Sequence, residues 1–292
     1  MKAGVIVSAS LVVSLVPALV PVAAVAQSFP VKPIRLIVPF PPGGGTDVTA
    51  RILSQALFDG PGWQVVVENR PGATGRIGTE FVAKAPPDGY TLLLGTAGPN
   101  AILPGAYSKL PYDAVRDFAP ISLIDSAAYA LVLHPSLPVR SVKDLIVTAS
   151  SRPGQITFAS AGNLSVGHLA GEFFKQFAKV DITHVAYKGG GPAVIATVSG
   201  ETALYFGGPS VVQQARAGRL RAIATTGAKR SASFPDVPTI AELGYPGYEA
   251  TNWYAFVAPA KTPKEIIERL NREIVRTLNT PETRDQFLRN GE

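Results

Sequence analysis

The apolar positions of this chain fall into two alternating patterns. Short, largely apolar runs recur first: IRLIVPF at 34–40, WQVVVENR at 63–70 and YTLLLGT at 90–96. They predict strands. Between them the spacing becomes helical. Residues 47–58 place Val48, Ile52, Leu53, Ala56 and Leu57 on one face, and residues 74–85 turn Ile77, Phe81 and Val82 inward. Strand alternating with helix predicts a parallel sheet with crossover helices. A loop-rich stretch at 97–117 and two extended runs, FAPISLI and AYALVLHP, follow.

A second series then begins. Ser141 with Asp144 three residues later forms a capping-box signature for a helix over 142–150. Strands are predicted at 156–162, 182–189, 202–208 and 220–227. Helices are predicted at 165–177, 191–199 and 209–218. Residues 249–260 read as extended, and 262–278 as a strongly amphipathic helix with Pro263 in its first turn.

The junctions repeat although the sequence does not. Strand, small-residue loop and helix start recur at PPGGGT (41–46), SAGNLS (160–165), KGGGP (188–192) and FGGPS (206–210). In open α/β sheets, sites form at the carboxyl ends of strands. The extended runs at 118–134 and 249–260 are natural crossings between two halves. The pattern therefore predicts a cleft lined by helix N-termini from both sides.

A helix N-terminus offers free N–H groups and partial positive charge, and glycine lets a ligand approach closely. A carboxylate or phosphate suits such a site. Thr46, Thr96, Ser160 and Ser165 place hydroxyls in these loops. Asp47 reads either as a first-turn acid of its helix or as an acceptor for a ligand hydroxyl or amine. Phe40 and Tyr187 read as walls of the site or as core.

Composition narrows the options. The first 26 residues hold one early lysine, a long apolar stretch and Ala24-Val25-Ala26, the pattern of a signal peptide cleaved before Gln27. No later stretch is apolar enough to span a bilayer. With no cysteine, disulfides, thiol nucleophiles and zinc–thiolate sites are excluded. Net charge is 27 − 21 = +6, and +5 without Lys2. That balance suits solubility or attraction for anions. The basic residues are scattered, so a nucleic-acid partner is not expected.

Phosphate and dinucleotide motifs fail at GGGTD. GNLSVG (162–167) is one residue longer than a nucleophile elbow. A hydrolase built on Ser165 and His168 is a disfavoured alternative, since an acid and an oxyanion hole are missing. His168 reads as a polar wall or a first-turn residue; His134 and His184 read as structural. With no H-x-x-x-H spacing, neither metal nor cofactor is expected. The sequon Asn163-Leu164-Ser165 reads as accidental, because its loop belongs to the cleft.

FPVKPIRLIVPFPPGGGTDVTAR, VVVENRPGATGRIGTEFVAKAPPDGYTLLLGT, GNLSVGHLAGEFF, VAYKGGGPA and FPDVPTIAELGYPGYEATNWYAFVAP together resemble the periplasmic receptors of tripartite tricarboxylate transporters, the Bug or TctC type. The resemblance spans residues 28–292. It implies an α/β fold of the type II periplasmic binding-protein kind, two lobes joined by crossing strands. Lobe 1 is expected over 27–124 and 254–292, and lobe 2 over 125–253. It implies a non-enzymatic, periplasmic and monomeric receptor that delivers a small carboxylate to membrane transporter subunits; a ligand sensor of the same fold is the alternative. Expected contacts are Phe40, Pro41, Pro42, Gly43, Gly44, Thr46, Asp47 and Thr96 in one lobe. In the other they are Ser160, Gly162, Asn163, Ser165, His168 and Lys188 to Gly190, with Tyr187 and Gly207 completing the set. Two departures matter. Pro42 stands where the family often has alanine, removing one N–H. YFGGPS lacks an aspartate common in the family, which disfavours acidic amino acids as ligands. The resemblance also implies one more element beyond Glu292.

Overall fold

The computed structural model describes residues 29–291, together with Met1 and Gly4. Apart from those two, the expected signal segment lies outside the described residues.

In chain order come β1 (Ile34–Val38), α1 (Gly45–Asp59), β2 (Val65–Asn69), α2 (Arg76–Ala83), β3 (Thr91–Thr96), α3 (Leu103–Ala106) and β4 (Phe118–Ala128). The second series holds β5 (Ala130–Leu133), α4 (Val142–Ser151), β6 (Thr157–Ser160), α5 (Val166–Ala178), β7 (Thr183–Ala186), α6 (Gly190–Val198), β8 (Leu204–Gly207), α7 (Val212–Arg216) and β9 (Arg221–Thr225). The chain returns with β10 (Thr251–Pro259), α8 (Lys264–Leu278) and α9 (Pro281–Asn290).

Among the described residues these strands form two five-stranded sheets, β2-β1-β3-β10-β4 and β7-β6-β8-β5-β9. Each is the heart of one lobe. The expected parallel sheets are in fact mixed. β1 runs parallel to β2 and β3, and β6 to β7 and β8. β10 is antiparallel to β3 and β4, and β5 to β8 and β9. The reason is geometric. A strand that has just crossed between lobes enters its sheet from the cleft side, whereas a strand fed by a crossover helix enters from the far side. Sheet membership carries the first lobe through Ala128 and resumes it at Thr251.

Each sheet is buried by its helices. Leu36, Leu53, Leu94, Phe256, Leu270 and Ile274 share one core. Leu131, Phe158, Phe174, Phe206 and Tyr248 share the other. Burying each such side chain contributes about 1.5–3 kcal/mol. α8 turns Leu270 and Ile274 inward and leaves Glu268, Arg272 and Arg276 in water. Ser141 caps α4 as its signature predicts, accepting from Asp144 N–H at 3.1 Å. Ile77, expected inward, is 52% exposed, while Val82 on the same helix is fully buried. The loop-rich region contains a wide helical turn at Gly98–Ile102 leading into α3. No helix among the described residues is long and apolar enough to cross a membrane.

The two crossings lie side by side. Thr226, fully buried, donates through its hydroxyl to the Ala250 carbonyl at 2.6 Å and accepts from Tyr129 N–H at 2.8 Å. One side chain thus ties the two junctions between the lobes together.

Candidate ligand-binding cleft

The carboxyl ends of β1, β3, β6, β7 and β8 all face the gap between the lobes. Three full-length helices start there: α1 behind the N-cap Gly44, α5 behind Ser165 and α6 behind Gly189. A short helical turn at Pro209–Val211 starts there too. Gly44, Gly45 and Thr46 face Ser165, Val166 and Gly190 across an inner cavity of about 40 Å³. That is room for a carboxylate-sized group or a few waters. No lysine, arginine, aspartate or glutamate lines it. Its polarity comes from helix N-termini and neutral side chains: Thr96, Tyr129, Tyr205, Ser210, Asn252 and Tyr254.

Several of these groups are oriented as donors. Burial pushes the Tyr129 and Tyr205 phenols well above their usual range, so both keep their protons. Asn252 Oδ1 accepts from Ala97 N–H at 3.2 Å, leaving its NH2 as the donor. Such a lining suits an anion, and among the described residues no group of three or more acidic or histidine side chains is placed to hold a metal ion.

Phe40 and Ala161 also line a second, larger space of about 670 Å³ that continues outward. This volume lies in the range of small-molecule sites. Its walls include Pro41, Thr74, Arg76, Leu103, Tyr107, Asn163, Tyr187, Lys188 and Pro192. The lobes touch around it. Thr74 donates through Oγ1 to the Asn163 carbonyl at 2.8 Å, linking positions 89 residues apart. Thr74 stands on uncommon backbone with φ 53°, as does Leu164, the residue after Asn163, with φ 61°. For a β-branched residue this conformation is strained, and strain of this kind gathers at ligand clamps.

Comparison with known proteins places this geometry. Residues 49–292 match the tripartite tricarboxylate transporter family receptor, TctC. The chain belongs to this family. It is 41% identical over 268 residues to protein BugT of Bordetella pertussis, covering 91% of this chain and 82% of that protein. An R. palustris structure with adipate superposes with a TM-score of 0.87 at 37% identity, covering 90% of this chain and 88% of the other. MatC of Rhodopseudomonas palustris, with bound malate, gives 0.83 at 31%, covering 90% of each chain. The family and these neighbours are solute-binding receptors rather than enzymes, and the solved BugD, 32% identical with a TM-score of 0.85 over 90% of this chain and 88% of its own, is a periplasmic binding protein.

The receptor brings together most of the residues singled out from its sequence. Phe40, Gly44, Thr46, Thr96 and Ser165 line the inner cavity; Gly162, Asn163, Tyr187 and Lys188 line the outer space. Pro42, Gly43 and Gly189 lie instead where the two glycine loops press on each other. A Cβ on Gly191 would meet the Pro42 carbonyl at 2.5 Å, and one on Gly189 would meet the Pro41 ring at 2.4 Å.

Four candidates face away from the cleft. Asp47 lies behind its loop, accepting from Gly43 N–H (3.1 Å), Arg51 Nε (2.9 Å) and Asn69 Nδ2 (2.9 Å). Burial alone would raise its pKa; these hydrogen bonds outweigh burial and hold it below the usual range. Its place near the N-terminus of α1 turns the carboxylate toward β2. Ser160 is fully buried, accepts from Gly162 N–H at 3.1 Å and sits 2.6 Å from His184 Nε2. His168 accepts through Nδ1 from Leu164 N–H at 3.1 Å and stacks on His184 at 4.2 Å. Burial lowers both pKa values, that of His184 to about 4 with His168 beside it contributing. Gly207 is enclosed by Tyr205 and Val211.

The nucleophile–base pair imagined for a hydrolase does not exist. Ser165 Oγ accepts from the backbone N–H of His168 at 3.3 Å, which is helix capping, while the imidazole is engaged elsewhere. Sequence reasoning missed Thr74, Arg76, Tyr129, Tyr205, Asn252 and Tyr254. The only available signal was their position at strand ends, in crossings, or in the glycine-rich RPGATG segment.

Proposed function

We propose that this protein is an exported receptor that closes two lobes over a small organic carboxylate and delivers it to a tripartite membrane transporter. The observation that carries this reading is the inner cavity: three helix N-termini from two lobes converge on it, with no charged side chain in its lining. Each partly buried helix end contributes up to about 2 kcal/mol toward an anion. Closure excludes water and strengthens these contacts. The adipate and malate bound by the two R. palustris proteins support the same ligand class. The apolar leader at 1–26 supports export, and the expected lobe boundaries at 124/125 and 253/254 fall within the crossing strands β4 and β10.

Thermal-shift measurements against a panel of carboxylic acids, with phosphate and sugars as controls, test this. A ligand at a hundredfold excess over Kd stabilises by about 2.7 kcal/mol. For a chain of this size that is a rise in Tm of about 5–10 °C. A shift with carboxylic acids alone is expected. A shift with sugar or phosphate and with no acid would contradict the reading.

A further inference from the structure

One peptide unit is held from both lobes at once. The carbonyl of Asn163 accepts from Thr74 Oγ1 of the first lobe at 2.8 Å. The N–H of the same peptide, on Leu164, donates to His168 Nδ1 at 3.1 Å. A peptide is planar with these two groups on opposite sides, so neither bond turns without the other. The unit needs its braces, because Leu164 stands at φ 61°, a costly conformation that persists only where its surroundings hold it. The start of the loop is fixed separately. Ser160 Oγ accepts from Gly162 N–H and donates to the Gly162 carbonyl, both at 3.1 Å, and His184 Nε2 lies 2.6 Å from it. A Cβ on Gly162 would meet Thr74 Oγ1 at 3.1 Å, so this turn lies against the first lobe.

An imidazole accepts through Nδ1 only while that nitrogen carries no proton; an imidazolium donates from both nitrogens. The groups that act on the charge of His168 come from two elements. His184 of β7 stacks on it at 4.2 Å, and Glu172 and Lys175 of its own helix pair with each other at 3.1 Å. From β6, the uncharged Ser160 and Phe158 pack on His184. Burial lowers the pKa of His168 below the ordinary 6.5, with Glu172 opposing and Lys175 adding. Burial takes His184 to about 4, so that ring stays neutral in mild acid.

Resting on the carboxylate-receptor reading, we infer that His168 is a positioning residue for lobe closure: unprotonated, it holds the Asn163–Leu164 peptide toward Thr74, and a proton on Nδ1 releases that peptide and favours the open receptor. It acts through the peptide rather than on the ligand. The closed form then carries the lower His168 pKa. Affinity is full above the ordinary histidine value and falls as pH drops below it.

Calorimetric titration of the full chain with adipate and with malate, between about pH 8 and about pH 5, brackets the ordinary histidine value of about 6.5. The proteins are the unmodified receptor, His168→Asn, His168→Leu and Thr74→Val. The unmodified receptor should lose about tenfold in affinity across that range, as expected for one proton linked to closure. The acids titrate too, so His168→Asn is the reference, with an amide oxygen that accepts from Leu164 N–H at any pH. It should bind more tightly than His168→Leu and lose most of the pH dependence. Thr74→Val should bind more weakly at the upper pH and show the same flattened profile; it keeps the test open should a His168 variant fail to fold. Ring nitrogen shifts by NMR give a second reading. With acid bound, Thr74→Val should raise the His168 pKa, although Thr74 carries no charge, because coupling between the two sites is reciprocal. An acid-side loss equal in the unmodified receptor and His168→Asn would overturn the inference and leave the carboxylate reading intact. So would a His168 pKa indifferent to Thr74→Val. Binding of neither acid at any pH would overturn both.

Discussion

Replacing Asp47 with alanine is expected to destabilise the receptor by about 2–4 kcal/mol. A buried carboxylate that accepts several hydrogen bonds contributes about 1.5–3 kcal/mol for each charged contact, less where a partner is exposed. Arg51 is such a partner, with its side chain 57% exposed against 5% for Asp47. Asn69 is half-buried, and both it and the Gly43 N–H would lose an acceptor. Asn69 also donates to the Phe40 carbonyl at 3.0 Å, so the same change loosens the loop from Phe40 to Asp47 that faces the ligand. The effect should depend on pH. The folded pKa of Asp47 lies below the ordinary 3.8. Its stabilisation is therefore fully present above that value and is lost as pH falls through the folded pKa. Denaturant melts of both proteins at neutral pH, and again well below 3.8, check this. The gap should narrow in acid; equal stability at neutral pH would refute the assigned role.

Gly191→Ala should separate binding from folding. The added Cβ would lie 2.5 Å from the Pro42 carbonyl oxygen, 3.3 Å from Gly43 C and 3.4 Å from Gly44 N. All three are backbone atoms of the opposite lobe and cannot turn aside like a side chain. Overpacking of this kind costs about 1–3 kcal/mol. On the proposed closing mechanism the cost falls on the closed state, in which these loops meet, so affinity should drop about five- to hundredfold. Within α6 alanine is the better helix former, so the melting temperature without ligand should hold or rise slightly. Titration and melting curves check the pair of outcomes. Unchanged affinity would mean that the glycine loops do not meet in the bound form.

Much of the fold was legible because β1 and β3 are largely apolar runs and α8 has a clear helical stripe. Strand direction was not legible, since a run such as ALVL reads the same whichever end enters the sheet. α9 was missed for a different reason. Its buried residues are few, Thr283 and Phe287, and its start depends on Thr280 accepting from Thr283 N–H at 3.3 Å. Ile77 was misplaced because the turn at 72–75, with positive φ at all four residues, sets the phase of α2.

In the site, glycine carries the legible signal, because close approach of backbones requires it at Gly44 and Gly191. The direction of polar side chains around those glycines was not readable. Asp47 and His168 stand in the first turns of cleft-facing helices, yet both point back to brace their loops. Tyr129, Tyr205 and Tyr254 look like core residues in sequence and become wall residues only when the lobes face each other. Thr74 is invisible in sequence, because nothing marks a threonine that will adopt positive φ.

In the proposed receptor, helix N-termini from both lobes hold one carboxylate in the inner cavity. A crystal structure of the receptor with a bound carboxylic acid tests it most directly. Carboxylate oxygens are expected within about 3.2 Å of backbone N–H groups at Gly45–Thr46 and at Val166 or Gly190. A ligand whose every charged end lies against Arg76 or Lys188, with none at those N–H groups, would contradict it.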